Sequence, residues 1–279
     1  MSKSITFKKL AMCSLTTTVL AAASQSAFAH TRLQSPVIVE GVRVYNNEVI
    51  GHGCHNHTTN SNSTPVMGTS AVFPDATATV TSKPVGAAAS DPATPAGTVT
   101  DWVAGAGEGY SKKVYSNDIF ALEGQKFNSL GNAVGYWTGG GSTLPGISYT
   151  ALIPFKTDPI TIKPESCANS VTFVVAIADI CELTNINGFS DETVNLWTPA
   201  VGSNYDGVGL HGYNSPATLK VVRNITGTPA TLTTAEVAAN PLPASCGAGV
   251  DVTVTPTAEQ INRDMPAIDE NGVQLWPQP

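Results

Sequence analysis

The first 29 residues have the three parts of a secretory signal peptide, and this feature constrains how everything after them can fold. Lysines at positions 3, 8 and 9 precede an apolar run from Leu10 to Ala22, and Ala27-Phe28-Ala29 is a small-x-small cleavage site. The apolar run is too short for a good transmembrane helix. We therefore expect cleavage after Ala29 and export, to the periplasm or the cell surface, of a chain that begins at His30.

Four cysteines remain after that cleavage. An even number of cysteines in an exported chain predicts two disulfides, because the compartment is oxidising. Spacing alone leaves all three pairings open. A zinc site is the alternative use of four cysteines, but the sequence has no C-x-x-C pair and export favours oxidation. The four are Cys54, Cys167, Cys181 and Cys246.

The charge balance of the predicted mature chain excludes two classes of partner. The signal holds three lysines and no acidic residue, which leaves 11 basic and 21 acidic side chains. Nucleic acid and anionic membranes both need a basic face, so we expect neither as a partner. The acidic surplus favours solubility and an affinity for cations.

The composition favours strands and turns, because Ala, Thr, Val, Gly, Ser, Pro and Asn dominate and charged residues are few. Alternation from Val37 to Ile50 predicts a hairpin, and the apolar run from Val171 to Ile180 predicts a core strand. The Pro-rich end from Trp276 onward is predicted to be mobile. Many short strands separated by turn residues predict an all-β, antiparallel β-sandwich.

His30 is chemically special if it is the mature N-terminus. Its free α-amine and its imidazole can chelate one metal ion in a six-membered ring, and the amine, with a pKa of about 8, loses its proton easily. Amine and imidazole nitrogens suit Cu(II), which binds most tightly in the divalent series. The alternative is that His30 is only the residue at which the peptidase cuts.

A second group of histidines follows, and four of the five histidines in the chain lie between residues 30 and 57. His55 and His57 would point to the same side of an extended segment, and the glycines on both sides of His52 allow a tight turn. The spacing predicts a metal-binding cluster of His52, His55 and His57. A solvated loop with incidental histidines is the alternative.

Taken in order, these motifs resemble the YcnI-like copper-binding family. The matching elements are His30 after an Ala-x-Ala site, His52-Gly53-Cys54 before a strand, Trp137-Thr138-Gly139-Gly140, and Cys181 followed by Trp197. The resemblance covers about residues 29 to 199. The resemblance depends on the order and spacing of these motifs together, because no single motif is strongly specific.

The resemblance implies an immunoglobulin-like sandwich that holds copper through the first histidine, a nearby glutamate and a tryptophan close to the metal. Carried over to this sequence, His30 is the chelating ligand and Trp137 is the ring beside the metal, with core packing as its alternative role. No glutamate stands at the family position. His52 is the candidate for that place, with Glu48 as the substitute candidate.

The resemblance also implies the disulfide Cys54–Cys181, which leaves Cys167–Cys246. The second bridge would join a β-rich C-terminal extension to the sandwich. The predicted organisation is a signal peptide (1–29), a copper-binding sandwich (30–200) and the extension (201–279). His211 lies in the extension, and we expect it in a surface loop rather than as a late ligand.

The function that follows is a copper chaperone, buffer or scavenger without turnover, whose partner is another periplasmic or membrane copper protein. A copper monooxygenase is the second hypothesis, because such enzymes also begin with histidine. Only 7% of the residues are aromatic, which argues against the flat aromatic face of such an enzyme. A structural or adhesive surface domain, in which His30 is incidental, is the third.

Overall fold

The computed structural model describes residues 30–54, 64–105, 110–116, 118–140, 150–231 and 235–279. The predicted signal peptide lies outside these ranges, and so do His55 and His57. The chain divides into two units, Met1–His30 and Thr31–Pro279. His30 is the one described residue of the first unit, and its side chain is exposed.

Short strands form most of the regular structure of the second unit. The described ranges also hold two short helices, α1 (Val99–Trp102) and α2 (Ala258–Asp264), and neither is long and apolar enough to cross a membrane. The strands are β1 (Arg32–Leu33), β2 (Val37–Val39), β3 (Val44–Ile50), β4 (Gly68–Val72), β5 (Thr79–Pro84), β6 (Thr94–Pro95), β7 (Val103–Ala104), β8 (Lys112–Lys113), β9 (Leu122–Phe127), β10 (Ala133–Gly139), β11 (Ala151–Thr157), β12 (Thr161–Ile162), β13 (Ala168–Ile180), β14 (Val194–Trp197), β15 (Ala217–Val222), β16 (Val250–Thr255), β17 (Ala267–Ile268) and β18 (Gln274–Trp276).

Two sheets make the body of the fold. Within the described residues, the smaller sheet has the order β1-β3-β11-β8 and is antiparallel throughout. The larger sheet follows the order β6-β5-β16-β13-β4-β10-β9. Its long strand β13 pairs with β15 and β16 along its first part and with β14 and β4 along its second part. Two pairs, β13 with β16 and β15 with β2, are parallel.

The sheets pack face to face, and aromatic rings fill the space between them. Phe155 of the smaller sheet lies 5.5 Å from Phe73 and 5.7 Å from Tyr136 of the larger sheet, measured between ring centroids. The other face of the larger sheet is covered by α2 and by β17 and β18. Because both faces are covered, β13 is a nearly continuous apolar run, as the sequence predicts.

The predicted fold class is confirmed: the protein is an all-β, mainly antiparallel sandwich with two disulfides. The pairs are Cys54–Cys181 and Cys167–Cys246, as the family resemblance implies. A zinc site on the four cysteines is therefore excluded, because each sulfur is bonded to another. Two disulfides are also what an exported protein is expected to contain.

The hairpin predicted for residues 37–50 is wrong. β2 pairs with β15 in the larger sheet, whereas β3 pairs with β1 and β11 in the smaller one. The chain changes sheets at Glu40, whose buried carboxylate accepts hydrogen bonds from the backbone of Ile162 and Asn224 and from the side chain of Asn240. Alternation shows that a segment is a strand, but it does not show which sheet the strand joins.

The mobile C-terminus predicted from Trp276 is also wrong. Trp276 ends β18, is 1% exposed and stacks on Phe189 with 5.3 Å between ring centroids. The backbone of Gln278 donates a hydrogen bond to Thr184 O. The prolines limit local structure, but burial of a large aromatic ring fixes the segment.

The boundary predicted at residue 200 does not separate two bodies. β16 lies between β13 and β5, and β15 pairs with β13 on its other side. The residues predicted to form an extension thus supply interior strands of the larger sheet. A spacing argument cannot reveal this, because the pairing joins segments far apart in sequence.

A chain of residues 30–200 is expected to lose cooperative unfolding. It lacks β15 and β16, which leaves the backbone groups of residues 170–173 of β13 without partners on both sides. Unpaired buried backbone groups cost several kcal/mol in sum. Urea unfolding followed by circular dichroism and tryptophan fluorescence checks this, with residues 30–279 as the control. A cooperative transition in the shorter chain would restore the boundary at residue 200.

Candidate metal centre

Glu48 is a buried acid at the centre of the sandwich. On β3 the residues 46, 48 and 50 face inward, and Glu48 is fully buried. Its Oε1 accepts a hydrogen bond from Thr69 Oγ1 at 2.6 Å, and its Oε2 accepts one from Tyr136 OH at 2.9 Å. Both oxygens are therefore engaged by hydroxyl groups of the opposite sheet.

Asp179 is a second buried acid, on β13 directly opposite Thr69 of β4. Its Oδ2 accepts hydrogen bonds from Thr31 Oγ1 and from Trp197 Nε1, both at 2.6 Å. Its Oδ1 is buried and accepts no hydrogen bond from a residue in the described ranges. Asp179 thus fixes the start of the sandwich, at Thr31, to the ring of Trp197.

Both buried acids have a raised pKa. Burial, together with the negative charge of Asp179, raises the pKa of Glu48 to about 8, against the hydrogen bonds from Thr69 and Tyr136. Burial raises the pKa of Asp179 to about 6, against hydrogen bonds from Thr31 and Trp197 and the charge of His52. Burial thus favours the protonated form of both acids, and the charge of Asp179 raises the pKa of Glu48 further. A metal ligand must be deprotonated, so Glu48 suits that role poorly.

His52 follows β3 on a segment whose path is fixed by Gly53 and by the Cys54–Cys181 disulfide. The chain packs so closely here that a Cβ at Gly53 would lie 2.1 Å from Thr64 O, so only glycine fits. Cys54 then exchanges backbone hydrogen bonds with Thr64 and is bonded to Cys181 at the end of β13. The disulfide and the glycine together fix where His52 leaves the sheet.

The tautomer of His52 follows from its partner. Nδ1 lies 2.5 Å from Gly53 O, and a carbonyl oxygen only accepts hydrogen bonds. Nδ1 therefore carries the proton, and in the neutral ring the lone pair is on Nε2. A histidine whose Nδ1–H is held by a backbone carbonyl is oriented to bind a metal through Nε2.

His211 comes from the far end of the sequence to meet His52. The centroids of the two imidazoles are 5.4 Å apart. Both rings meet Trp197 edge to face, at 6.2 Å for His52 and 4.9 Å for His211. The backbone of His211 is fixed by Asp191 Oδ1, which accepts from its N–H, and by Leu196 N, which donates to its carbonyl.

His211 is the residue that the sequence reasoning misplaced. We expected it in a surface loop, yet it is half-buried beside His52 and Trp197. The sequence offers one signal for His211: histidine is rare, with five in the chain, and His211 lies far from the other four. The rarity of histidine does not show which distant segments of the chain come together.

Trp137, expected beside the metal, lies on the other face of the larger sheet. It packs in the cluster that contains Leu196 and Trp276, and its Nε1 donates to Ile268 O at 2.8 Å. Side chains alternate along β10, so Tyr136 faces Glu48 and Trp137 faces away. The ring beside the imidazoles is that of Trp197.

His52 and His211 meet one geometric requirement of a shared metal site, which is the distance between their rings. In the described ranges, no three His, Cys, Asp or Glu side chains are grouped as a complete metal centre requires. Two imidazoles that share one ion have ring centres within about 6 Å of each other, because metal–nitrogen bonds are about 2 Å long. The 5.4 Å separation of His52 and His211 meets this limit. Imidazole is a ligand that suits copper.

Comparison with known proteins adds little to this description. No protein-family model and no curated protein matches the chain. A crystal structure of an uncharacterized protein from Nocardia farcinica, described as having an immunoglobulin-like fold, is 14% identical and has a TM-score of 0.31. The match covers 70% of this chain and 99% of that one. At this TM-score it carries no argument about fold or function.

Glu48 is expected to make the protein less stable as pH rises. The folded state holds a proton up to a pKa of about 8, whereas the ordinary value is 4.5. The stabilisation is therefore complete below pH 4.5 and is lost as pH rises through 8. At about 1.4 kcal/mol per pKa unit, the loss is on the order of a few kcal/mol.

Urea unfolding of metal-free protein between pH 5 and pH 8 measures this loss. Glu48→Gln keeps a neutral side chain in place, so its free energy of unfolding should fall much less over that range. The exposed Glu270→Gln is the matched control and should follow the wild type. Parallel curves for wild type and Glu48→Gln would show that Glu48 is ionised in the folded protein at neutral pH.

Proposed function

We propose that the protein is an exported copper-binding protein, without turnover, that holds the ion through His52, His211 and the mature N-terminus His30. The observation that supports it most is the pair of imidazoles, 5.4 Å apart, brought together from segments that are distant in the sequence. His52 also has a ring orientation that is set on its Nδ1 side by the carbonyl of Gly53. Together these features suit a nitrogen-rich copper site.

His30, the proposed N-terminal copper ligand, directly precedes Thr31 in the chain. Thr31 is 3% exposed, and its hydroxyl donates to Asp179. Asp179 also accepts from Trp197, whose ring meets both imidazoles. Thr31, the next residue in the chain, is thus anchored on the carboxylate that also holds the Trp197 ring beside the imidazole pair.

The buried carboxyl group of Asp179 favours the binding of a cation near His52. Asp179 is close enough to His52 for a positive charge there to lower the pKa of the carboxyl group, against the effect of burial. A buried carboxylate attracts a cation more strongly than an exposed one, because the surrounding dielectric is low. The acidic balance of the predicted mature chain acts in the same direction.

The proposed role is transport or storage of copper in the periplasm or at the cell surface. When bound, the ion is held by imidazole and amine nitrogens, a set that accepts both Cu(II) and Cu(I). A site partly made by the chain terminus is open to exchange with another copper protein, which is the proposed partner. Delivery, buffering and scavenging all use this same property.

Electron paramagnetic resonance of Cu(II) tests the role of the terminus. Protein exported from its own signal is compared with protein that carries one extra N-terminal methionine. We expect one copper with several nitrogen ligands in the first and a changed, weaker site in the second, because the added residue removes the chelating amine. Identical spectra would remove His30 from the site, and absence of binding in both would defeat the copper proposal.

Histidine variants test the imidazole pair. His52→Gln and His211→Gln should each weaken copper binding by roughly tenfold or more, because each removes a nitrogen ligand. The double variant His55→Gln/His57→Gln is the control and should bind as the wild type does. Loss of binding in His52→Gln and in His55→Gln/His57→Gln, with none in His211→Gln, would assign copper to the cluster of His52, His55 and His57 alone.

A further inference from the structure

Three basic side chains converge on one carboxylate at the edge of the smaller sheet. Asp158 is within ion-pair distance of Arg43 Nε at 3.6 Å, of Lys156 Nζ at 3.4 Å and of Lys112 Nζ. In the part of the chain that the structure describes, every ion pair of these three cations is made with Asp158. One carboxylate therefore faces three positive charges, and two remain uncompensated by it.

Strand register forces these cations together. Lys112 of β8 stands directly opposite Lys156 of β11, and like charges in that relation are destabilising. Arg43 immediately precedes β3, whose Val44 is the partner of Thr157. The protein thus brings three cations together, although only 11 of its residues beyond the predicted signal are basic. A local concentration of cations in an acidic chain needs an explanation.

Asp158 is held as a carboxylate. Burial alone would raise its pKa, but the hydrogen bond and charge of Lys112, followed by those of Lys156, hold the pKa below its usual value. The cations remain partly accessible to solvent: about half of the side-chain surface of Arg43 and of Lys112 is exposed. They can therefore contact a ligand while they keep their pairing with Asp158.

A polar cleft of about 560 Å³ opens beside this cluster. Lys112 and Asp158 form one part of its lining, and Gln125, Phe127 and Asn132 form another. The wall is rigid on one side, because Gln125 accepts from Lys113 N and donates to Ser111 O and Gly135 O. A cleft of this volume accommodates a small organic molecule.

We propose that this cleft binds a small anion that carries carboxylate or phosphate groups. The acidic group lies against Lys112, which lines the cleft and offers a charge-assisted hydrogen bond, and Arg43 and Lys156, which share Asp158 with Lys112, add positive charge beside it. The remainder of the ligand occupies the cleft, with the amide of Asn132 and the exposed ring of Phe127 on its walls. Asp158 spaces the cations and competes with the ligand for them.

Calorimetric titration of the mature protein with succinate and, separately, with inorganic phosphate tests the proposal. We expect saturable binding of at least one probe at low ionic strength, weakened by added sodium chloride because the contacts are ionic. The probe that binds more tightly shows whether the site prefers carboxylate or phosphate. No saturable binding of either probe overturns the proposal.

Matched variants separate this site from general charge effects. Lys112→Gln/Lys156→Gln should weaken binding at least tenfold. Lys83→Gln/Lys220→Gln removes the same charge from elsewhere, since Lys83 contacts Ala89 O and Lys220 pairs with Asp251, and should leave binding unchanged. Equal losses in both double variants would mean that only net charge matters, which overturns the proposal.

Asp158→Asn distinguishes a binding site from a purely structural ion cluster. Removing the competing carboxylate frees the three cations, so anion affinity should rise severalfold. If the cations serve only to hold Asp158, the variant loses thermal stability and gains no affinity, and the proposal fails. Near-ultraviolet circular dichroism of each variant checks that the fold is intact.

Discussion

Backbone pairing of one strand, β13, holds the candidate site in place. Its 13 residues pair with four other strands, and both faces of the sheet around it are covered. A strand paired in this way has little freedom to move, because each shift would break many hydrogen bonds in an environment without water. Asp179 lies near the end of β13 and Cys181 directly follows it, so the carboxylate and the disulfide that position Thr31 and His52 share that rigidity.

The core tolerates two buried acids because donors surround them. Glu48 and Asp179 lie between the sheets, where an isolated charge would cost several kcal/mol. Hydroxyls and an indole N–H supply hydrogen bonds to three of the four carboxyl oxygens, and burial favours the protonated form of both acids. Negative charge on Asp179 lies next to an imidazole pair, where the low dielectric makes it most effective for holding a cation.

Several elements could be predicted because their signals are local. The apolar run from Val171 to Ile180 predicts a core strand, and it forms the greater part of β13. His211 and Trp197 could not be placed beside His52, because that contact depends on how β13 and β14 stack against the smaller sheet. Trp137 was expected either beside the metal or in the core, and alternation along β10 places its ring in the core cluster on the opposite face.

By itself the sequence determined the class of fold and the chemistry available to it. Strand-forming composition, four cysteines and few histidines are enough to predict a disulfide-bonded sandwich with the nitrogen donors that copper prefers. Only the tertiary structure decided that β15 and β16 belong to the larger sheet and that His211 meets His52. The physical reason is that strand pairing and disulfides act between segments that are distant along the chain, and local patterns contain no record of which distant segment lies opposite.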